Sequence, residues 1–441
     1  VAENVPTFGW AITAWVLLGG LVMCGGLALT EVIILYPRAG GNYVFLREGY
    51  GRLWGFLWGW EDFFVIRSAS IAALAAVFVE SLHAVLQHDA VRAALGLRES
   101  GPVLDFWPLQ WLTVLTIGVL ALVNMRGVRW GGGLQLVVTA VKVGSLLFIA
   151  ILPFVLAFKS TGTGGEPPHW DYLSAPPHRE FSLWAFASAL IAVQWAYHGW
   201  TNLGPVGEEV REPQRNVPIA VLGGIGILIF VYCSANVAYS LVLTQPEMAA
   251  ITKIPVASVF ADRLLGPTGG AVISAAIAIS TFGALNGNLL VGPRTLFAMG
   301  RDGLAPRSLV AIHPRYHTPA VATAVLAVWS AGLVLIGAAL ELKKPLFDML
   351  TDYAMFGAVA FETMAVASVF MFRWKRPGAE RPYRCLGYPV TPAIYVLCFA
   401  GLLANYFIDP DMRLEGYCGA GFALLGAAVY GLFLRRRSAT A

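Results

Sequence analysis

The residues best suited to chemistry in this 441-residue chain lie inside an apolar stretch, 181–207, which contains Ala196-Tyr197-His198-Gly199-Trp200-Thr201-Asn202-Leu203-Gly204-Pro205. Two glycines and a proline beside polar side chains at membrane depth point to a helix that unwinds. Freed backbone N–H and C=O groups, with the dipole ends of two half-helices, then hold the charged ends of a small substrate in a dry site. A proline kink repaired by neighbouring helices is the other reading of the same residues. His198 sits in the break and belongs to the side-chain type that changes charge near neutrality. It is either a hydrogen-bonded neutral imidazole or a substrate contact.

Other isolated polar groups ask for partners. Lys142 is the only charge in the stretch 131–158 and stands near its middle, where an ammonium is costly and needs a reason. It acts as a fixed cation within a carrier core, as a proton-carrying amine, or as a tie between helices. Ser280 and Thr281, hydroxyls in the middle of another stretch, are its expected partners. Asn286, one to two turns further on, faces either a substrate cavity or another helix. Arg294 reads as structural. Glu61, Asp62 and Arg67 share one span at a spacing that does not fit one α-turn, so partners on other helices are expected at least as readily as pairing among themselves. Glu362 is a lone acid deep in 346–372, read equally as a proton relay or as a packed, hydrogen-bonded carboxyl.

Metal and nucleotide chemistry find no support. His83 and His88 fall in a loop, and His313 and His317 flank Pro314-Arg315-Tyr316 without carboxylate or cysteine beside them. Neither a Gly-rich phosphate loop nor a nucleophile elbow occurs. No metal, no cofactor, no ATP-driven step and no enzyme activity are therefore expected.

The elements that must position these residues follow from composition. Hydrophobic residues make up 57% of the chain and charged residues 13%, against about 25% charged in a soluble domain, and the mean hydropathy is +0.67. This excludes a soluble globule. The net charge of +4 is not gathered into a nucleic-acid-binding patch, and the five cysteines show no C-x-x-C spacing. A bilayer core needs about 20 helical residues, and stretches of that kind run over 8–36, 53–82, 106–125, 131–158, 181–207, 217–243, 266–299, 319–340, 346–372, 386–408 and 416–434. They lack the alternation of outer-membrane strands, so the expected fold is all-α and polytopic, in contact with membrane lipid. Alternate loops hold about twice as many Lys and Arg as the opposite set, which places the C-terminus in the cytoplasm. Residue 1 is Val and runs almost directly into the first stretch, so the sequence reads as truncated or processed.

Several motifs resemble those of one family. Tyr36-Pro37-Arg38-Ala39-Gly40-Gly41-Asn42-Tyr43, the break with Glu208-Glu209 and Pro213-Gln214-Arg215-Asn216-Val217-Pro218 after it, Ser280-Thr281-Phe282-Gly283-Ala284-Leu285-Asn286-Gly287, Arg301-Asp302-Gly303-Leu304-Ala305-Pro306 and Arg381-Pro382-Tyr383-Arg384 are similar to the amino acid-polyamine-organocation superfamily, its L-type amino acid transporter branch above all. The similarity runs in order along nearly the whole chain. It implies twelve helices, the first ten forming two inverted five-helix repeats, with helices 1 and 6 broken around a central amino acid site. The eleven stretches then correspond to helices 2–12, helix 1 falls upstream of Val1, and the chain divides into 1–160 (the rest of the first repeat), 178–375 (the second repeat) and 386–436 (two extra helices).

By the same resemblance Trp195 matches the aromatic position that covers the substrate, and His198 a position where Gly or Asp is common. The implied substrate-binding set is Trp195, Ala196, Tyr197, His198, Gly199, Thr201, Asn202 and Asn286. Lys142 matches a helix 5 lysine that stands where sodium binds in sodium-coupled relatives, with Ser280 and Thr281 near it. The resemblance implies secondary, alternating-access transport of neutral amino acids across the cell membrane. A cationic amino acid or polyamine carrier is the alternative, and a non-transporting fragment a further one. The loop from His83 to Asp105 contains no cysteine, so the disulfide-linked heavy chain of animal members is not expected.

Overall fold

In a computed structural model, residues 1–97, 101–158, 169–251, 255–266, 269–340 and 346–434 are described. They contain helices and no strand, because backbone groups in hydrocarbon must be satisfied within their own segment. The helices are α1 (Phe8–Leu35), α2 (Asn42–Tyr50), α3 (Arg52–Glu61), α4 (Arg67–Gln87), α5 (Asp89–Leu95), α6 (Phe106–Met125), α7 (Val128–Phe158), α8 (Leu183–Tyr197), α9 (Pro213–Ser240), α10 (Gln245–Ala250), α11 (Val256–Leu265), α12 (Gly269–Val291), α13 (Pro293–Arg301), α14 (Ala320–Ala339), α15 (Leu346–Lys375), α16 (Val390–Ile408) and α17 (Arg413–Val429). Among the described residues, nine helical spans are long and apolar enough to cross a membrane. The stretches outside that set are 181–207, which is not one helix, and the last, whose α-helix has 17 residues. The basic tail 435–437 lies outside the described residues.

Three apolar clusters hold the helices together. The largest joins α1, α2, α3, α8, α9, α15 and α16; a second joins α4, α6, α12 and α14; a third binds one end of α7 to α9, α11 and α12. Between α7 and α12 the fit is close enough to fix register. A Cβ at Gly283 would lie 2.2 Å from Val138 Cγ1, and one at Gly287 3.4 Å from Gln135 Oε1, so the two helices run antiparallel.

One span departs from α geometry. Between α3 and α4 the chain takes a π-turn over Asp62–Ile66. A π-turn advances by five residues where an α-turn advances by four, and this aligns Asp62 with Arg67, whose Nε lies 3.3 Å from Asp62 Oδ1. The acid–arginine spacing that does not fit an α-helix is thus satisfied inside the span.

The turn before α2 carries Gly40 at φ 115° and Gly41 at φ 50°. A Cβ on Gly41 would sit 2.4 Å from Pro205 Cδ and 2.6 Å from its nitrogen, so this turn docks directly on the broken segment. Gly41→Ala meets both a left-handed backbone and a clash, and is expected to cost about 1–3 kcal/mol, read as a lower melting temperature of the purified protein in detergent. Melting within error of wild type would show that the turn is not held against Pro205.

Candidate functional site

The break forms as local chemistry dictates. Helix α8 starts at Ser182, whose side chain accepts from the Ala185 N–H, and ends when His198 takes φ −58°, ψ 144°. Gly199 follows at φ 102°, a left-handed conformation that a residue with a Cβ resists, and Trp200–Glu209 then winds as a 3-10 helix with Pro205 inside. The last carbonyls of α8 lose their helical partners at this point, and Tyr232 of α9 donates its hydroxyl to one of them, Ala196 O, at 2.9 Å. The far end of the segment is pinned. The Ala39 N–H donates to Glu208 at 2.9 Å, and Arg294 Nε donates to Glu209 at 2.8 Å, while Asp302 accepts from Tyr43 at 2.6 Å and pairs with Arg47 beside it.

Two charged groups from distant parts of the chain meet the break. Glu362, midway along α15 and fully buried, places Oε1 3.2 Å from His198 Nδ1. It also accepts from Gln194 and Thr201, each at 3.4 Å. The Tyr395 hydroxyl of α16 is buried nearby without a hydrogen-bond partner among the described residues, its ring edge-on to Trp200 at 6.1 Å. On the other side, Arg67 of α4 donates to Asn202 Oδ1 at 3.1 Å and to Asn288 Oδ1 at 2.8 Å. The guanidinium therefore ties the segment after the break to α12 while sharing charge with Asp62. A cavity of about 300 Å3 opens between this segment and α9, lined by Gly199, Trp200, Asn202, Ala220, Gly224 and Leu228, the small end of the range for ligand pockets.

The sequence-expected residues divide accordingly. Trp195, Ala196, Tyr197, His198, Gly199, Thr201 and Asn202 sit together at the break, but in different settings. Trp195 is 36% exposed, whereas Tyr197 is fully buried and donates to Trp15 O at 3.2 Å. Asn286 makes interhelical contacts: its Oδ1 accepts from Asn124 of α6 at 2.9 Å and its Nδ2 donates to Gln135 of α7 at 3.1 Å. Asn288, two residues on, is the one that reaches the break through Arg67. Lys142 follows Val138 by one turn and Ser280 precedes Gly283 by three residues, so the antiparallel register brings them to one level. No hydrogen bond joins Lys142 to Ser280 or Thr281, however; Thr281 bonds back to Ile277 O and Ala278 O at 2.8 and 3.1 Å. Arg67, Gln194, Tyr232, Glu362 and Tyr395 reach the break without sequence reasoning having assigned them there. Only the crowding of three charges into one span hinted at Arg67.

The geometry is that of a discontinuous membrane helix with buried ionisable neighbours, and comparison with known proteins agrees with it. A family profile described as "Amino acid permease" matches residues 2–426. The chain is 28% identical to the Asc-type amino acid transporter 1 of Mus musculus over 440 residues, covering 98% of this chain and 76% of that one. It is 29% identical to the serine/threonine exchanger SteT of Bacillus subtilis over 434 residues, covering 97% and 90%. With the large neutral amino acids transporter small subunit 2 of Homo sapiens it shares 30% identity over 435 residues, covering 98% and 75%. On the match along nearly its whole length, this multi-pass membrane chain belongs to the amino acid permease family.

Proposed function

We propose that the chain is a secondary transporter of neutral L-amino acids across the plasma membrane, working by alternating access, with the amino acid zwitterion held at the break after α8. The observation that carries this is the interruption at His198 and Gly199 between α8 and the 3-10 segment, where the helix ends meet a buried carboxylate and a buried guanidinium. A zwitterion needs local donors and acceptors of both signs in a dry place, and two half-helix ends supply them without a full charge. Trp195, Ala196, Tyr197, His198, Gly199, Thr201 and Asn202 surround the substrate, Asn286 fixes α12 to α6 and α7, and Lys142 with Ser280 and Thr281 stands in place of a bound cation. Residues 1–160 are the remainder of the first repeat, 178–375 the second repeat and 386–436 the added helices, and the C-terminus is cytoplasmic. No disulfide-linked partner is proposed, since no cysteine stands between His83 and Asp105.

A carrier of cationic amino acids or polyamines would want an acid in the pocket, and Glu362 is such an acid. Its carboxylate is nevertheless buried behind His198, Thr201 and Gln194, which favours neutral side chains. The test is counterflow of labelled L-alanine in proteoliposomes against each of the twenty amino acids and putrescine. Small and large neutral amino acids are expected to compete, with lysine, arginine and putrescine at least about tenfold weaker, a difference of about 1.4 kcal/mol. Competition by lysine or putrescine at the level of alanine would select the cationic reading.

A further inference from the structure

Resting on the transport reading above, we propose that His198 and Glu362 form a proton-carrying pair, and that the amino acid moves together with a proton held between them. Four observations carry this. The carboxylate is fully buried midway along α15, and among the described residues the group of opposite potential charge beside it is the imidazole, 3.2 Å away. The contact is close but is not aligned as a hydrogen bond, so a small turn of the ring makes or breaks it. His198 itself is part of the backbone break, so the ring moves whenever the break does. Finally, His198 is partly exposed while Glu362 is not, so the imidazole is the route by which a proton reaches the acid.

The charge balance gives the coupling. Neutral imidazole beside carboxylate carries one net negative charge; adding one proton from water yields either imidazolium–carboxylate or imidazole–carboxylic acid, both of net zero. Closing the site around a zwitterion removes the water that solvates the carboxylate, and an uncompensated buried charge is strongly disfavoured. The protonated pair is therefore the form that closes with substrate aboard. Opening to the other side readmits water, and the proton leaves as it came, through the ring. An empty site keeps its water and returns without the proton.

The other ionisable groups around the pair are occupied or set apart. From α16, Tyr395 presents its hydroxyl. From α4, Arg67 is committed to Asp62, Asn202 and Asn288. From α3, Glu61 lies against Gly357, just over one turn before Glu362 on α15. From α9, Tyr232 is bound to Ala196 O, and Cys233 is its neighbour. At the far end of the bundle, Glu31 of α1 pairs with Arg373 and Arg381, Arg47 of α2 with Glu48 and Asp302, and Arg294 of α13 with Glu209. Glu415 of α17 is buried, and α12 and α14 carry no charged residue.

The experiment uses the full chain in proteoliposomes with the membrane potential clamped by valinomycin and potassium. Counterflow of labelled L-alanine first establishes transport. An inward gradient of about one pH unit is then imposed; one proton per substrate gives a limiting accumulation of about tenfold, and adding alanine should acidify trapped pyranine. In Glu362→Gln and His198→Gln the ratio of uptake with and without the gradient should fall to one, whatever the absolute rate, while Glu61→Gln should keep the wild-type ratio. A wild type with measurable counterflow but no gradient response and no pyranine signal overturns the proton pair and leaves the transport reading intact. A retained response in Glu362→Gln, or its loss in Glu61→Gln alone, likewise overturns the pair. Should Glu362→Gln fail to insert, the wild-type pyranine trace and His198→Gln decide. Absence of counterflow in the wild type overturns both readings.

Discussion

Lys142→Ala is expected to reduce amino acid uptake in proteoliposomes at least about 100-fold, a loss of about 2.7 kcal/mol, while the protein inserts and melts as wild type does. Lys142 is close to the middle of the 31-residue α7, about 21 Å along it from Val128. A lysine at that depth costs about 2.5–3.5 kcal/mol of insertion free energy. The ammonium forms no hydrogen bond or ion pair with the described residues, and its level on α7 faces that of Ser280 on α12. A group that costs stability and returns no contact in this conformation is kept for another conformation or for what it does to a ligand. The substitution should therefore leave melting unchanged or raise it, with uptake lost. Uptake within about twofold of wild type would remove the ammonium from the mechanism.

Arg67→Met should be the most destabilising single substitution near the break, by about 3–5 kcal/mol, since it leaves Asp62 as a buried, uncompensated charge. The guanidinium is 7% exposed and its partner Asp62 2% exposed, so water does not take over the pairing. Transport should fall as well, because Asn202 loses the donor that holds the segment after the break against Asn288. The double variant Asp62→Asn/Arg67→Met should recover much of the melting temperature without recovering uptake, separating the electrostatic debt from the loss of the tie. A single variant that melts within a degree or two of wild type would show that Arg67 is not the buried tie described above.

The parts of this structure readable in the sequence are those set by local physics. Hydropathy marks the nine membrane-length spans, because length and apolarity suffice for that, but not the short helices α2, α5, α10 and α11 between them; Gly199 with Pro205 marks the break because both residues act on their own backbone. What surrounds the break was not readable. Glu362 comes from 164 residues beyond His198 and Arg67 from 135 residues before Asn202, and no local pattern ties them together. Asp62 and Arg67 look mismatched until the π-turn is known. The choice between Asn286 and Asn288 depends on helix phase: two residues are about 200° apart around an α-helix, so only one of them points to Arg67, and its neighbours Asn124 and Gln135 could claim the other.

The clamps at Glu208 and Glu209 tie the short helix after Gly199 to the loop before α2 and to α13, while α8 is tied to the end of α16 by Ser188, which donates to Asp409 at 2.7 Å. His198 and Gly199 then form the joint between two tethered rods. A shift of α13 is then delivered as a swivel at Gly199, like a crank turning on its pin, and it reorients the imidazole of His198 directly beside the pivot.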